Sequence, residues 1–191
     1  ARLNGSGSYF STPDAAANNS SEDVFIAAWY AADDWTSGAD EYVVGKYEGP
    51  GIDGIAYGIT IGATGLMAFY TASDGTTGTQ DFTASSTAVP FSDGEMGGIA
   101  AAFDDSANEV TFYTTTDPSL TPSASVTWTQ LGTVQTHSTS IYSTPGSRLR
   151  VGAWYWSSAP GGEITGIVER AYGMASADPT AAPTWDFNPA D

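Results

Sequence analysis

The segment from Arg148 to Trp156, RLRVGAWYW, carries side chains whose types and spacing suit ligand contact. Alternate residues of a strand face the same side. One predicted face is apolar and consists of Leu149, Val151, Ala153 and Tyr155. The other predicted face holds the candidate ligand-binding residues Arg148, Arg150, Trp154 and Trp156. Flat aromatic rings beside hydrogen-bonding groups suit sugar stacking, and Trp and Arg also anchor protein interfaces. The alternative is that Trp154 or Trp156 packs on a neighbouring loop or on a second chain.

Carboxylates in loops are the candidate metal ligands. The chain has 22 Asp and Glu residues, and hard oxygen ligands of this kind favour Ca²⁺. The pattern of an EF-hand loop is absent, and most of the acids are expected to be solvated surface groups. The candidate calcium ligands are Asp33, Asp34, Asp104 and Asp105, with Asp40 and Asp186 as further candidates.

The composition excludes much other chemistry. Without Cys the chain has no disulfide, thiolate zinc site or Cys nucleophile, and one His cannot form a multi-His metal site. That residue, His137, lies in a polar stretch without the glycines of a nucleophile elbow, so we expect a loop or strand-edge His. No Gly-rich run has the context of a dinucleotide site or a P-loop.

The charge balance limits the partners. Five Lys and Arg residues against 22 Asp and Glu residues give a formal charge of −17. Binding to nucleic acid or to an anionic membrane depends mainly on Lys and Arg, so neither is expected. No apolar stretch approaches the length of a membrane span, and membrane insertion is not expected. The length suits a single domain over residues 1–191, and the start at Ala1 suggests a processed product or a piece of a longer chain.

The elements that must position these residues are short strands. Asp23–Ala31 alternates two apolar faces, which predicts a central strand covered on both sides. Thr12–Ala17 predicts one or two helical turns, and Ala63–Gly65 and Asp104–Asn108 predict turns between antiparallel strands. Trp29, Trp35 and Trp128 are expected to pack, and Trp185 to fix the C-terminal tail. The other predicted strands are Glu41–Tyr47, Ile55–Ile61, Leu66–Ala72, Ile99–Phe103, Val110–Thr115, Val126–Leu131, Leu149–Ala153 and Ile164–Tyr172.

The order of these segments resembles a known domain type. The opening Leu3–Asp14, LNGSGSYFSTPD, followed by the strands above, is similar to laminin-G-like domains of the concanavalin A-like lectin/glucanase group. A narrower likeness is to such domains in virion proteins of tailed bacteriophages. It rests on Ala32–Thr36, Val110–Asp117, Val126–Gly132 and the closing segments Ala177–Pro179 and Trp185–Phe187.

The resemblance implies an all-β fold: a two-sheet antiparallel β-sandwich, a jelly roll of the concanavalin A-like type. It also implies sugar or protein contact, usually without catalysis, and often a structural Ca²⁺. Hydrolases of the laminarinase type in this group place two acids on one strand in a Glu-x-Asp-x-x-Glu pattern, which is absent here. Glu163 and Glu169, the nearest candidates, would lie about 20 Å apart in a strand, whereas a retaining pair needs about 5 Å.

Three hypotheses follow. The first is a non-catalytic structural or appendage domain on the virion surface of a tailed phage, contacting host glycans or neighbouring virion subunits. The second is a polysaccharide-binding domain of a secreted or surface protein of a bacterium, and the third is a glycan-cleaving hydrolase. Exposed sheet edges would make a homo-oligomer compatible with the first two.

Overall fold

The computed structural model is an all-β sandwich of two antiparallel sheets and a small hairpin. It describes the chain except residues 1, 6, 17–18, 49–53, 118–125, 144–146, 157–158 and 189–191. For residues 154–156 and 159–161 it describes the backbone alone. The predicted fold class is therefore confirmed.

The larger sheet is built around a strand that is buried at all of its residues. Its strands, in spatial order, are β1 (Arg2–Asn4), β15 (Thr165–Met174), β3 (Val24–Ala32), β8 (Gly97–Asp104), β9 (Glu109–Thr115) and β10 (Thr129–Gln130), with β11 (Gln135–Thr136) on β9 and β16 (Trp185–Phe187) on β15. The central strand, β3, has the two faces that its sequence predicts: Ile26 and Tyr30 lie in the main core, whereas Phe25 and Trp29 lie in a second cluster.

The second sheet has six strands and faces the first across the main core. Its strands are β2 (Phe10–Ser11), β12 (Leu149–Val151), β4 (Glu41–Tyr47), β5 (Ile55–Ile61), β6 (Leu66–Ala72) and β7 (Gln80–Ala88). The hairpin of β13 (Trp154–Trp156) and β14 (Ala159–Gly161) continues from β12. The bounds of β4, β5 and β6 agree with the sequence prediction, whereas β7 was not predicted.

Two predicted strands are shorter than expected. The strand predicted over Leu149–Ala153 ends at Val151, because Gly152 has a φ of 95° and turns the chain before β13. Of the strand predicted over Val126–Leu131, only Thr129–Gln130 pairs with a neighbour. The backbone alternation of β12 therefore ends before β13 begins.

The main core lies between the sheets and joins them through large side chains. Phe69 of β6 stacks on Phe103 of β8 with 5.4 Å between ring centroids. The hydroxyl of Tyr30 donates a hydrogen bond of 3.0 Å to the carboxylate of Glu41, and burial raises the pKa of that carboxyl. Burying these surfaces supplies the dominant favourable term in folding.

The outer face of the larger sheet is covered by the chain itself. Trp29 lies 5.4 Å from Trp128 and 5.7 Å from Tyr172, measured between ring centroids. The indole N–H of Trp29 donates to the carbonyl of Asp117 at 3.0 Å. The packing that the sequence predicts for Trp29, Trp35 and Trp128 is confirmed.

Helical structure is minor. A 3-10 helix spans Thr77–Thr79. The turns predicted over Thr12–Ala17 are present only as a 3-10 position at Ala16, since residues 12–15 are irregular and residue 17 lies outside the described residues. In the part of the chain that the structure describes, no helix is long and apolar enough to cross a membrane.

Candidate functional site

A groove of about 340 Å³ lies on the outer face of the six-stranded sheet. Its floor follows a row of paired residues across β4, β5, β6 and β7, in which Tyr42 is opposite Thr60, Thr60 opposite Ala68, and Ala68 opposite Ala84. Neighbouring strands are about 4.8 Å apart, so this row is about 14 Å long. The small side chains in the middle of the row leave the space that the groove occupies.

Aromatic side chains form the walls of the groove. Phe82, which is 48% exposed, stands on β7 at one side, and the half-buried Tyr42 stands on β4 at the other. Tyr70 supports both, with ring centroids 5.5 Å from Tyr42 and 5.7 Å from Phe82. Because the supporting ring is buried, the two walls are held in place before any ligand binds.

Two glycines allow Tyr70 to lie across the sheet. Gly45, Gly58 and Tyr70 are paired in one row that ends at Phe82. A Cβ atom at either glycine would overlap the phenol oxygen of Tyr70. Because Gly45 and Gly58 have no side chains, the flat ring of Tyr70 can lie over them, and this ring supports Phe82.

The polar groups of the groove are hydroxyls and one carboxylate. Asp40 is the one charged side chain among the described residues that line the groove, and it is exposed together with Thr64. Burial, and then the neighbouring Tyr47 and Asp40, raise the pKa of Tyr42 above its ordinary value. At neutral pH Tyr42 is therefore an uncharged phenol that can donate a hydrogen bond.

The structure places Arg150 inside the fold. It is 3% exposed and forms an ion pair with Glu48, which is 4% exposed, and its guanidinium lies 5.1 Å from the ring centroid of Tyr9. The surface predicted from alternation in this strand is thus corrected at Arg150, because a buried carboxylate compensates its charge. Arg148 is exposed and borders a different cavity, together with Ser11, Pro13 and Asp14.

The side chains of Trp154 and Trp156 lie outside the described residues. Their backbone forms β13, and the turn of chain that follows the hairpin meets the groove strand: the amide of Tyr42 donates to the carbonyl of Gly162 at 2.7 Å. The hairpin is thus anchored beside Tyr42. A binding role for Trp154, Trp156 and Arg148 stays a prediction.

The predicted calcium ligands do not come together as one group. Asp33 follows the end of β3, whereas Asp104 and Asp105 lie near its start, roughly 30 Å away along an extended strand. Asp33 forms an ion pair with Arg2, and Asp34 accepts hydrogen bonds within its own turn from Thr36. Among the described residues, no three Asp, Glu or His side chains are arranged to hold a metal ion. Bound Ca²⁺ stays a prediction.

His137 is a buried structural residue next to β11. Its two ring nitrogens contact the hydroxyls of Thr71 and Thr83 at 2.7 and 2.8 Å, and its ring packs on Phe103. Burial lowers its pKa, against the opposing effect of Asp81. It ties the chain beyond β11 to β6 and β7 and has the strand-edge position that the sequence predicts.

A second cavity, of about 410 Å³, lies between residues 12–15 and the strand β16. Trp185 borders it, and the ring of Trp185 also covers Gly173 of β15, which pairs with it. This packing confirms that Trp185 fixes the C-terminal segment. The cavity thus lies where the segment after β2 passes β16.

Proteins similar to this one are found by comparing its fold with solved structures. No protein-family model and no curated protein matches the sequence. A carbohydrate-binding module, the CBM40 of the Ruminococcus gnavus IT-sialidase bound to α2,3-sialyllactose, has a TM-score of 0.55 and 10% identity, with 90% of this chain and 93% of that one covered. The fold is that of a lectin-like jelly roll.

Other solved structures agree. NanB, solved with Optactamide, gives a TM-score of 0.61 at 11% identity over 93% of this chain and 26% of NanB, so the protein spans about a quarter of that chain. NanB is a sialidase from Streptococcus pneumoniae. The heptameric SAP-like pentraxin of Limulus polyphemus gives a TM-score of 0.56 at 7% identity, with 89% and 70% covered.

Sequence reasoning missed the groove. Its most exposed ring, Phe82, lies in the nine-residue strand QDFTASSTA. The Ser and Thr residues of this segment give it no apolar alternation, so the strand was not predicted. A signal was present in β4 to β6, where Tyr42, Thr60, Ala68 and Tyr70 share the face opposite the core positions. An outward aromatic residue next to small outward residues on neighbouring strands indicates a groove.

Proposed function

We propose that the protein is a non-catalytic carbohydrate-binding domain and that the groove on the six-stranded sheet is its glycan site. The observation that carries this proposal is the exposed ring of Phe82 facing Tyr42 across a floor of small residues. Such rings stack on the apolar face of a sugar, and the hydroxyls and the carboxylate at the rim can bond to its hydroxyl groups.

The groove also supports the non-catalytic part of the proposal. Glycoside hydrolysis in its common form needs two carboxyl groups flanking the bond that breaks. Asp40 is the one carboxylate on the described lining. Glu163, which together with Glu169 was expected to be too distant to form a catalytic pair, accepts a hydrogen bond from the amide of Gly7 at 2.8 Å. Glu169 is an exposed residue at a bulge in β15.

The structural neighbours favour the carbohydrate-binding hypothesis over a purely virion-structural one. Glycan-binding modules are among the solved structures with this fold. The virion surface, the contacts with virion subunits and a homo-oligomer rest on the sequence resemblance alone, as does the extracellular alternative. Genes for tail or capsid proteins on both sides of the coding sequence would support the virion placement.

The proposal is tested by a glycan array and by calorimetric titration of the glycans that bind. Phe82→Ala should lower the affinity at least tenfold, about 1.4 kcal/mol, because it removes the ring that a sugar would stack on. Phe82→Trp keeps a flat ring and should retain binding, whereas Phe82→Leu keeps only the apolar character and should not. Ile167→Ala is the control, since Ile167 is an exposed apolar residue of the other sheet.

Two results would count against this function. No binding of any glycan would leave the chain as a structural domain. Binding that Phe82→Ala leaves intact, in a variant with the thermal stability of the parent protein, would place the glycan elsewhere.

A further inference from the structure

We infer that the groove selects uncharged oligosaccharides and rejects sialylated and other anionic glycans, an inference that rests on the proposed function. Two sialyllactose complexes of one structural neighbour, the CBM40 of the Ruminococcus gnavus IT-sialidase, raise the question of whether this groove accepts a charged ligand. The five cationic side chains of the protein all lie in the described part of the chain.

Four of the five cations already have an anionic partner within the protein. The pairs are Arg2 with Asp33, Lys46 with Asp14, Arg150 with Glu48 and Arg170 with Asp186. The buried ones, Lys46 and Arg150, cannot reach a ligand on the surface without breaking these pairs. Breaking a buried pair leaves its carboxylate uncompensated, which is strongly unfavourable.

The fifth cation, Arg148, is exposed but lies at another place. It borders the cavity formed with Ser11, Pro13 and Asp14, near the edge strand β2. The groove lies on β4 to β7, on the far side of β12 from that edge. None of the five cations therefore belongs to the groove.

The groove itself carries negative charge. Asp40 stands exposed at its rim, in a chain with a net charge of −17. The carboxylate of a sialic or uronic acid would lose water on entering and would gain repulsion instead of an ion pair. Sugar hydroxyls, in contrast, can donate to Asp40, and a neutral ligand makes these contacts without bringing a second negative charge into the groove.

The test is a calorimetric comparison of neutral and acidic oligosaccharides. The neutral probes are lactose, cellotetraose, laminaritetraose and maltotetraose, and the acidic probes are α2,3-sialyllactose, α2,6-sialyllactose and tetragalacturonate. We expect at least one neutral probe to bind in a Phe82-dependent manner and every acidic probe to bind at least tenfold more weakly. Binding of the neutral probe should be the same at 50 and 500 mM NaCl, because no ion pair is screened.

A charge reversal at the rim sharpens the test. Asp40→Lys should raise the ratio of the affinity for an acidic probe to the affinity for the neutral probe by tenfold or more. Glu109→Lys changes the net charge by the same amount, and Glu109 is exposed on the other sheet, so this control should leave the ratio unchanged.

The outcomes separate the two ideas. Acidic probes that bind as tightly as neutral ones, and lose affinity with Phe82→Ala, would overturn the selectivity while leaving the glycan site in place. A panel in which nothing binds, or in which Phe82→Ala has no effect, would overturn the proposed function and the selectivity with it.

Discussion

Arg150 of β12 and Glu48, which directly follows β4, form a buried ion pair in the six-stranded sheet. Both partners are nearly inaccessible, with side-chain exposures of 4% and 5%. Glu48→Gln keeps the size of the side chain but leaves the guanidinium without its counter-charge. We expect the free energy of unfolding, measured in urea, to fall by about 3 kcal/mol.

An exposed pair gives the matched control. Arg2 and Asp33 are 61% and 41% exposed, and solvent screens their attraction. Asp33→Asn should change the free energy of unfolding by no more than about 0.5 kcal/mol. Equal effects of the two substitutions would show that burial does not govern the Arg150 pair.

His137 should make the stability depend on pH. Burial lowers its pKa in the folded state, so below about pH 6.5 the unfolded chain takes up a proton that the folded chain does not. Its contribution is complete above that pH and declines as the pH falls, by at most about 1.4 kcal/mol per pH unit. Urea unfolding between pH 5 and 7.5 should show this slope, and His137→Gln should reduce it.

The control for this effect is the comparison of the pH dependence of stability between the wild-type protein and His137→Gln. Acidic groups such as Glu41 titrate in both, so the difference between the slopes isolates His137. A wild-type protein that becomes more stable, relative to His137→Gln, as the pH falls would mean that Asp81 holds the ring protonated in the fold.

At the scale of the elements, the flat packing of Tyr70 on β4 and β5 supports the groove. Ala at Gly58 would collide with the phenol of Tyr70 and lie 2.6 Å from the carbonyl oxygen of Val44. Gly58→Ala should therefore lower the free energy of unfolding by about 1–3 kcal/mol and also weaken glycan binding through Phe82. Chemical denaturation and calorimetric titration measure the two effects.

A glycine without close neighbours provides the control. At Gly78 the nearest atom to an added Cβ is the hydroxyl oxygen of Thr76 at 3.8 Å, and the residue is exposed. Gly78→Ala should leave the free energy of unfolding and the affinity close to those of the parent protein. A Gly58→Ala variant as stable as Gly78→Ala would mean that Tyr70 does not lie across β5.

The core strands could be predicted from the sequence, but the groove was missed because one of its walls lies on β7. Alternation identified both faces of β3 and the bounds of β4 to β6, because core burial imposes a period of two on apolar residues. Only one residue of β7 is buried, so its sequence shows no alternation of apolar residues. The strand was therefore not predicted, and Phe82 was not recognised as a candidate binding residue. Arg150 was misplaced for another reason: alternation gives a face but does not reveal that Glu48 covers it.

At the scale of the whole molecule, the charge excess acts on stability. With 22 acidic and five basic residues, the folded state concentrates negative charge that the unfolded chain disperses. Raising NaCl from 20 to 500 mM should raise the midpoint of thermal unfolding, since salt screens this repulsion. KCl should act equally, and a fall in the midpoint would show that the ion pairs outweigh the repulsion.

The two outward faces of the sandwich differ in a way that determines where a ligand can bind. The larger sheet covers its outer face with its own tryptophans, whereas the six-stranded sheet leaves Phe82 and the small residues beside it accessible. The second cavity, beside Trp185, is a competing location within the described residues. Chemical shifts of the surrounding backbone amides report ligand binding at both places in one experiment.

The most direct measurement is a titration of the ¹⁵N-labelled protein, followed by NMR, with the oligosaccharide that binds best. We expect the chemical-shift changes to cluster at amides of the groove, namely those of Thr60, Gly62, Ala68 and Ala84. Changes that cluster instead at Thr184 to Phe187 and Asp14 would contradict a glycan site in the groove and place the binding site in the second cavity.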